Sequence, residues 1–505
     1  MRVRRSATAV ALWPALLALG PVAPASGQAP PRPPGFSAVV DSLVPRALAE
    51  FLIPGAAVAL VRGGDVVWAR GYGVADRRSG RAVTPQTVFN VGSMAKSVAA
   101  WGVLRLVQDG RVELDRAVDA YLTRWHLPAS SFDNALVTTR RLLSHTAGAS
   151  LPSVTPYDPG VPLPTLEQAL AGGEGRGDGV RLDLAPGTQF QYSGGGYDIL
   201  QLLVEEATGQ TFPEAMSATV LRPLGMTRSA FGWPATVEAT AATPHNALGE
   251  PIPSVRFAEL AAAGLQTTVA DFARFAAAEL TGRGRALPGR GLLRPDLVTL
   301  MHSPAPASPR YGLGHEVLRD SATGITFVGH NGANRGWIAV FQIAPASRAG
   351  IVVLTNGANG WPLVQRLICS WERSLGARGV APYCDRVGVR YVLDAAYVRG
   401  GVAEVLSRYE TLRQTAAEDY DFGPAQLVGL GYDLLHAGRT ADAVSVFVAN
   451  VQRFPADWNS HDSLAEAYLA LGDTAKAIEG YRRSVELNPR NTNGADALRR
   501  LRGTP

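Results

Sequence analysis

The sequence predicts a mixed α/β protein, an antiparallel sheet with helices on both faces, continued by an all-α C-terminal part. Three observations carry that reading. Apolar runs at 56–60 and 66–69 flank Gly63-Gly64-Asp65, the turn chemistry of a β-hairpin. Three further strand-like runs at 326–330, 337–343 and 350–354 precede a helical pattern over 361–375, so a β-β-β-α tail is available to complete the sheet that the hairpin begins. Finally, residues 424–455 and 458–489 repeat each other. Leu430, Gly431, Leu434, Gly438, Ala443, Phe447 and Pro455 correspond to Leu464, Ala465, Tyr468, Gly472, Ala477, Tyr481 and Pro489, every pair 34 positions apart.

The elements follow in chain order. A basic start (Arg2, Arg4, Arg5), an apolar run from Ala7 to Val22 and the small-x-small string Ala25-Ser26-Gly27 read as a signal peptide over 1–27. Pro14 and Pro21 break the run, which is short for a membrane span. The expectation is a secreted or periplasmic protein with no transmembrane anchor after cleavage. A Pro-rich leader covers 28–35, and 36–51 has helical periodicity. After the hairpin, a helix that contains Ser93 and Lys96 runs to Asp109-Gly110, where the glycine reads as a C-cap. His145, in the string 142–148, reads as a hydrogen-bonded residue at a helix end closed by Gly148. The Pro- and Gly-rich stretch 149–186 has the length of a substrate lid or rim. Tyr192 precedes Gly194-Gly195-Gly196, which suggests a tyrosine on a tight turn, with a helix over 198–208 capped by Gly209. Thr268 or Thr267 is the N-cap of another helix. His330 ends the 326–330 strand, and 331–336 reads as a turn. Residues 376–390 form a linker and 391–418 a helical segment. The two repeats span 424–457 and 458–491. Two are few for an independent solenoid, so they are expected to pack on that segment or on the preceding domain.

Composition narrows the function. The 505 residues suffice for two or more domains. Loss of 1–27 removes three arginines and no acid, which takes the net charge from +5 to +2 and leaves no charge argument for nucleic acid. Cys369 and Cys384, the only cysteines, are either a disulfide or two buried thiols. The eight histidines form no His-Glu-x-x-His pair, no serine lies in Gly-x-Ser-x-Gly, and no metal or cofactor is expected.

The chemistry centres on Ser93-Met94-Ala95-Lys96. Residues three apart share a helix face, so the Lys96 amine folds back toward the Ser93 hydroxyl. A serine becomes a nucleophile when a base takes its proton, and a lysine is that base only if its own pKa is lowered. The chain has two lysines, Lys96 and Lys476, and otherwise uses arginine, which never deprotonates. A lysine in such a background points to a need for the amine itself.

In order and spacing, Ser93-x-x-Lys96, Tyr192-x-Gly194 and His330-x-Gly332 resemble the three motifs of the serine β-lactamase and penicillin-binding protein family. The match is best to its class C branch, with its esterases, D-aminopeptidases and D-Ala-D-Ala carboxypeptidases. The strings LLSHTAG (142–148), PGTQFQYS (186–193), RPLGMT (222–227), AAGLQTTVADFARF (262–275) and YGLG (311–314) are similar to it as well. The resemblance covers 36–375 and implies a β-lactamase-like sheet with flanking helices and a helical subdomain. It implies Ser93 as nucleophile, Lys96 as its base, Tyr192 as proton relay to the leaving group, and the N–H groups of Ser93 and Ala333 as oxyanion hole. Gly332 would keep the strand clear for substrate. Two positions depart from the family pattern. Gly194 replaces the usual Asn that holds a substrate amide, and His330 replaces a Lys whose charge meets a substrate carboxylate; Arg335 is a candidate for that charge. The expected function is an exported serine esterase or amidase acting on a small ester or D-amino-acid-type substrate. The alternatives are a class C β-lactamase or D-Ala-D-Ala carboxypeptidase, and an idle binding or sensing protein. The region of the two repeats, 424–491, resembles tetratricopeptide repeats, which implies a protein partner or a structural extension.

Overall fold

A computed structural model describes residues 35–150, 155–173, 177–379, 384, 386–501 and 503. The signal peptide and nearly all of the Pro-rich leader lie outside the described residues, as do parts of the 149–186 loop and of the 376–390 linker. The principal elements are α1 (Phe36–Glu50), β1 (Gly55–Arg62), β2 (Asp65–Asp76), β3 (Arg81–Ala82), α2 (Ala95–Gln108), α3 (Gly194–Thr208) and α4 (Val269–Ala278). They continue with β4 (Glu316–Arg319), β5 (Thr326–Asn334), β6 (Trp337–Ala344), β7 (Ala349–Thr355) and α5 (Trp361–Ser374).

These strands form one antiparallel sheet in the order β3-β2-β1-β7-β6-β5-β4. The N-terminal hairpin and the later strands therefore meet at β1–β7, where Ala56 pairs with Thr355 and Arg62 with Ala349. The first turn is Gly63-Gly64, both at positive φ (63° and 75°), as a two-residue hairpin twisted with its strands requires. The β5–β6 hairpin departs from expectation. Residues 331–334 continue the strand, Asn334 pairs with Trp337, and only Arg335-Gly336 turns the chain, with Gly336 at φ 82°. The polar string Asn331 to Asn334 hides its strand character because β6 supplies its partners.

Alternation divides the sheet. Ala57, Ala59, Phe341, Ile343, Val352 and Leu354 face an inner core with α2, α3 and α4. Ala56, Val58, Val340, Ile351 and Val353 face an outer core with α1 and α5. Helix α2 is buried from Ala95 to Leu104, which is why its sequence is apolar on every side apart from Lys96 and Ser97.

The C-terminal part is helical apart from the short pairing of Val387–Gly388 with Tyr420–Asp421. Helix α6 (Arg390–Thr415), broken at Gly400-Gly401, leads to α7 (Pro424–His436), α8 (Thr440–Arg453), α9 (Trp458–Ala470), α10 (Thr474–Leu487) and α11 (Thr492–Leu501). Helices α7 and α9 start 34 residues apart, as do α8 and α10. Val389, Leu393, Leu427, Leu430 and Phe447 share the outer apolar cluster with Leu363, Leu367 and the sheet, so these helices are packed on the sheet-bearing part. Glu50 of α1 binds Arg366 of α5 and accepts from the Tyr420 hydroxyl at the same junction. Cys369 and Cys384 form a disulfide. Among the described residues no helix is long and apolar enough to cross a membrane.

Candidate active site

The site begins with a left-handed glycine turn. Gly92 sits at φ 51°, and its N–H donates to Asn90 Oδ1 at 3.0 Å. A Cβ on Gly92 would lie 2.7 Å from the Ala333 nitrogen, so only glycine lets the turn touch β5. One turn of 3-10 helix, Gly92–Met94, then feeds α2 and leaves Ser93 partly exposed at its mouth. Lys96 follows on the same face, 2% exposed, with Nζ 3.2 Å from Ser93 Oγ. Nζ also donates to the Ala262 carbonyl at 2.7 Å and lies over the rings of Tyr192 and Tyr197, at 4.9 and 5.5 Å. Burial lowers the Lys96 pKa to about 7, against a pull upward from Asp198. Asp198 is itself fully buried, and burial holds its carboxyl well above the usual range. The amine is therefore substantially neutral near pH 7 and able to take a proton.

Tyr192 is held by a neighbour the sequence marked as merely structural. The His145 ring packs on Tyr192 with centroids 4.2 Å apart, and its Nδ1 accepts the Ser193 N–H at 3.1 Å. Burial keeps His145 neutral, which that accepted bond requires. The expected turn at Gly194-Gly195-Gly196 is instead the first turn of α3. Ser193 is its N-cap, accepting from the Gly196 N–H at 2.9 Å and donating to the Ser150 carbonyl at 2.6 Å. The glycines are helical because the packing there is close: a Cβ on Gly195 would fall 2.7 Å from Val180. Tyr192 thus stands immediately before a capped helix. Its hydroxyl is electrostatically coupled to the Ser93 side chain, and burial pushes its pKa well above the ordinary value, so it stays protonated.

Strand β5 forms the opposite wall. The sequence suggests that Gly332 keeps a path open for substrate; the structure gives a different reason. A Cβ there would lie 2.0 Å from the Val91 carbonyl oxygen and 2.9 Å from the Ser93 nitrogen, so the glycine lets two stretches of backbone touch. That contact brings the amides of Ser93 and Ala333 to adjoining positions, with Ala333 exposed. Asn334 secures it, donating to Asn90 Oδ1 and to the Ala263 carbonyl, which Asn90 also reaches.

The two candidate cations do not supply a charge beside Ser93. His330 is buried, its Nε2 2.9 Å from the Tyr311 hydroxyl, and burial together with Lys96 lowers its pKa to about 3. Arg335, expected as a replacement for the lysine charge, lies on the hairpin turn and pairs with Asp158 of the 149–186 loop. Gly194 is buried in the first turn of α3 and brings no side chain. Sequence reasoning missed Asn90, Tyr311, Glu316 and Asn334. Asn90 carried a faint signal, an Asn two residues before a glycine, and Tyr311 lay in a string noted only for its resemblance.

With this geometry in place, comparison with known proteins is informative. A family model described as Beta-lactamase matches residues 40–367. Esterase EstB of Burkholderia gladioli is 34% identical over 202 residues, 38% of this chain and 50% of EstB. Protein flp of Staphylococcus aureus (strain COL) is 28% identical over 197 residues, 38% of either chain. The chain thus spans half or less of the length of these curated relatives. Among solved structures, SurE aligns with a TM-score of 0.56 at 27% identity, covering 67% of this chain and 76% of SurE. A class C beta-lactamase aligns with a TM-score of 0.54 over 66% of this chain and 96% of its own; at 23% identity it bears on the fold alone.

Proposed function

Since the chain belongs to the beta-lactamase family, we propose that it is a serine acyl hydrolase working through an acyl-enzyme on Ser93, with esters or amides as substrates. The observation that carries this reading is the buried Lys96 amine, with a pKa of about 7, 3.2 Å from Ser93 Oγ and under the Tyr192 ring. Lys96 Nζ takes the Ser93 proton as Oγ bonds to the substrate carbonyl carbon. The N–H groups of Ser93 and Ala333 meet the oxygen that becomes negative. The proton then passes from Lys96 through Tyr192 to the leaving oxygen or nitrogen as its bond to carbon breaks. Water attacks the acyl-enzyme by the same route in reverse and frees Ser93.

Esters fit better than β-lactams or D-Ala-D-Ala peptides. Those substrates bring an amide and a carboxylate, whereas Gly194 offers no side chain and His330 no charge. A missing hydrogen bond to a charged group costs roughly 1.5–3 kcal/mol, so two such losses amount to around a hundredfold or more in rate. The kinship with an esterase supports the same preference. Export is part of the proposal, supported by the apolar N-terminal run and by a disulfide of the kind oxidising compartments permit. The 34-residue repeat of helix pairs supports tetratricopeptide-like repeats that extend the fold and offer a protein-binding surface.

The test is a panel of p-nitrophenyl esters, D-amino-acid amides and nitrocefin, with fluorophosphonate labelling of Ser93. Measurable ester turnover, slow or absent nitrocefin turnover and a label lost in Ser93→Ala are expected. Labelling that persists in the Ala variant overturns the assignment. A kcat/KM for nitrocefin above that of every ester overturns the substrate preference.

A further inference from the structure

A cavity of about 740 Å³ adjoins the site, large enough for a drug-sized ligand. It lies between α5 and the outer face of the sheet, walled by Leu318, Phe327, Val340, Trp361, Val364 and Ile368. Phe327, Gly329 and Asn331 alternate along β5 and so face it together. Gly329 leaves its floor bare, since a Cβ there would lie 2.1 Å from the Phe341 carbonyl oxygen. Around the edge of β5 the same space reaches Tyr192, His330 and Tyr311.

Its placement relative to the reacting atoms decides what it holds. Ser93 and Lys96 do not line it, whereas Tyr192, which delivers the proton to the departing atom, does. The oxyanion amide of Ala333 lies two to four residues further along β5 than the lining residues Gly329 to Asn331, roughly 7–13 Å at strand rise. The carbonyl oxygen is thus directed toward the hairpin end and the leaving group toward the cavity. The polar groups at its neck do not favour a carboxylate. Glu316 accepts from the Asn331 amide at 2.8 Å, with its pKa raised to about 7 by burial, and His330 is neutral. The lining cation is Arg310, which is exposed at the rim.

We propose that this cavity is the leaving-group subsite and that the substrate is an ester of a bulky, uncharged apolar alcohol. The inference rests on the acyl-hydrolase reading above. It explains why an apolar chamber adjoins a site without a fixed positive charge: the part of the substrate that departs carries no carboxylate.

Acetate esters of methanol, butan-1-ol, octan-1-ol and 2-phenylethanol test it on the full chain, beside methyl esters of acetate, butyrate and octanoate. Burial of each methylene is worth about a fourfold gain in kcat/KM. The octyl-to-methyl ratio in the alcohol series is expected to exceed about 100 and to be well above that of the acyl series. Val364→Trp narrows the chamber beside Trp361 and Ile368 and is expected to lower that ratio severalfold. If that variant does not fold, product inhibition of the wild type gives the same reading, with octan-1-ol far more potent than butan-1-ol. A flat alcohol series, or a steeper dependence on the acyl chain, overturns the subsite while ester hydrolysis stands. Absence of any Ser93-dependent hydrolysis or labelling overturns the acyl-hydrolase reading itself.

Discussion

The two lysines of this chain share a local pattern and differ in everything else. Lys96 lies three residues after Ser93 near the start of α2, and Lys476 three residues after Asp473 near the start of α10. Each amine also sits over a tyrosine ring, Tyr192 at 4.9 Å and Tyr468 at 5.1 Å. Lys476 is exposed and paired with Asp473 at 2.8 Å, which raises its pKa. Lys96 is buried with a hydroxyl and a carbonyl for partners, and its pKa falls to about 7. Sequence spacing places an amine beside a helix start; only burial converts it from a permanent cation into a base.

Replacing each lysine in turn sharpens the contrast most. Lys96→Arg puts a permanent cation in place of the amine and cannot accept a proton, and a loss of at least ~10²-fold in turnover is expected. Lys476→Arg keeps its pair with Asp473 and is expected to leave turnover within about twofold. Steady-state kinetics on one good ester checks both, and near-normal turnover in the Lys96 variant would make that lysine structural. The pH profile follows with the next largest effect. Below pH 7 the Lys96 amine is protonated and idle, so kcat/KM is expected to fall about tenfold per pH unit there and to level off above it. No limb near pH 10 belongs to Lys476, which stays charged at the surface.

Stability changes with pH in the same sense, over a higher window. The folded pKa of Lys96 is depressed, so between about 7 and 10.5 the unfolded chain binds more protons and folding becomes more favourable as pH rises. At pH 7 the desolvated amine costs on the order of 4 kcal/mol. Lys96→Met removes that cost but leaves the Ala262 carbonyl without a donor, for a net gain of about 1–3 kcal/mol. Denaturant titration at pH 7 is expected to show a more stable, inactive protein, with the difference shrinking toward pH 10. A destabilised Met variant would mean that the amine is better solvated than its burial implies.

The same physics explains what the residues revealed in advance. Ser93, Lys96, Tyr192 and His330 stood out because their order and spacing resemble three family motifs and because Lys96 is one of two lysines, and the hairpin because Gly63-Gly64 has one main use. The fold class followed from period and turn chemistry. Other features depended on partners far away in the chain. Asn331 to Asn334 look like a loop until β6 pairs with them, and the glycines after Tyr192 look like a turn until Val180 and Ser150 close on them. Arg335 looked free for a substrate because Asp158 lies 177 positions away. The cavity, made of one residue here and one there from β4, β5, β6 and α5, has no linear signature at all.

The smallest expected effect contrasts two tyrosines, one beside His330 and one in the repeats. Tyr311 is buried, and its hydroxyl meets the neutral His330 Nε2 at 2.9 Å. Tyr432 is partly exposed and donates to Glu466, 34 residues on in the repeat. Tyr311→Phe strands a buried ring nitrogen, a loss of about 1–3 kcal/mol in stability. Turnover should fall only severalfold, because His330 stays neutral with or without its partner and Tyr192 keeps its own support from His145. Tyr432→Phe leaves a carboxylate that water can solvate, so a change within about 0.5 kcal/mol and none in turnover are expected. Thermal denaturation and ester kinetics on both variants check this. A Tyr311→Phe loss as large as that of Lys96→Arg would place the Tyr311 hydroxyl in the proton path, and the acyl-transfer scheme would then need a second tyrosine.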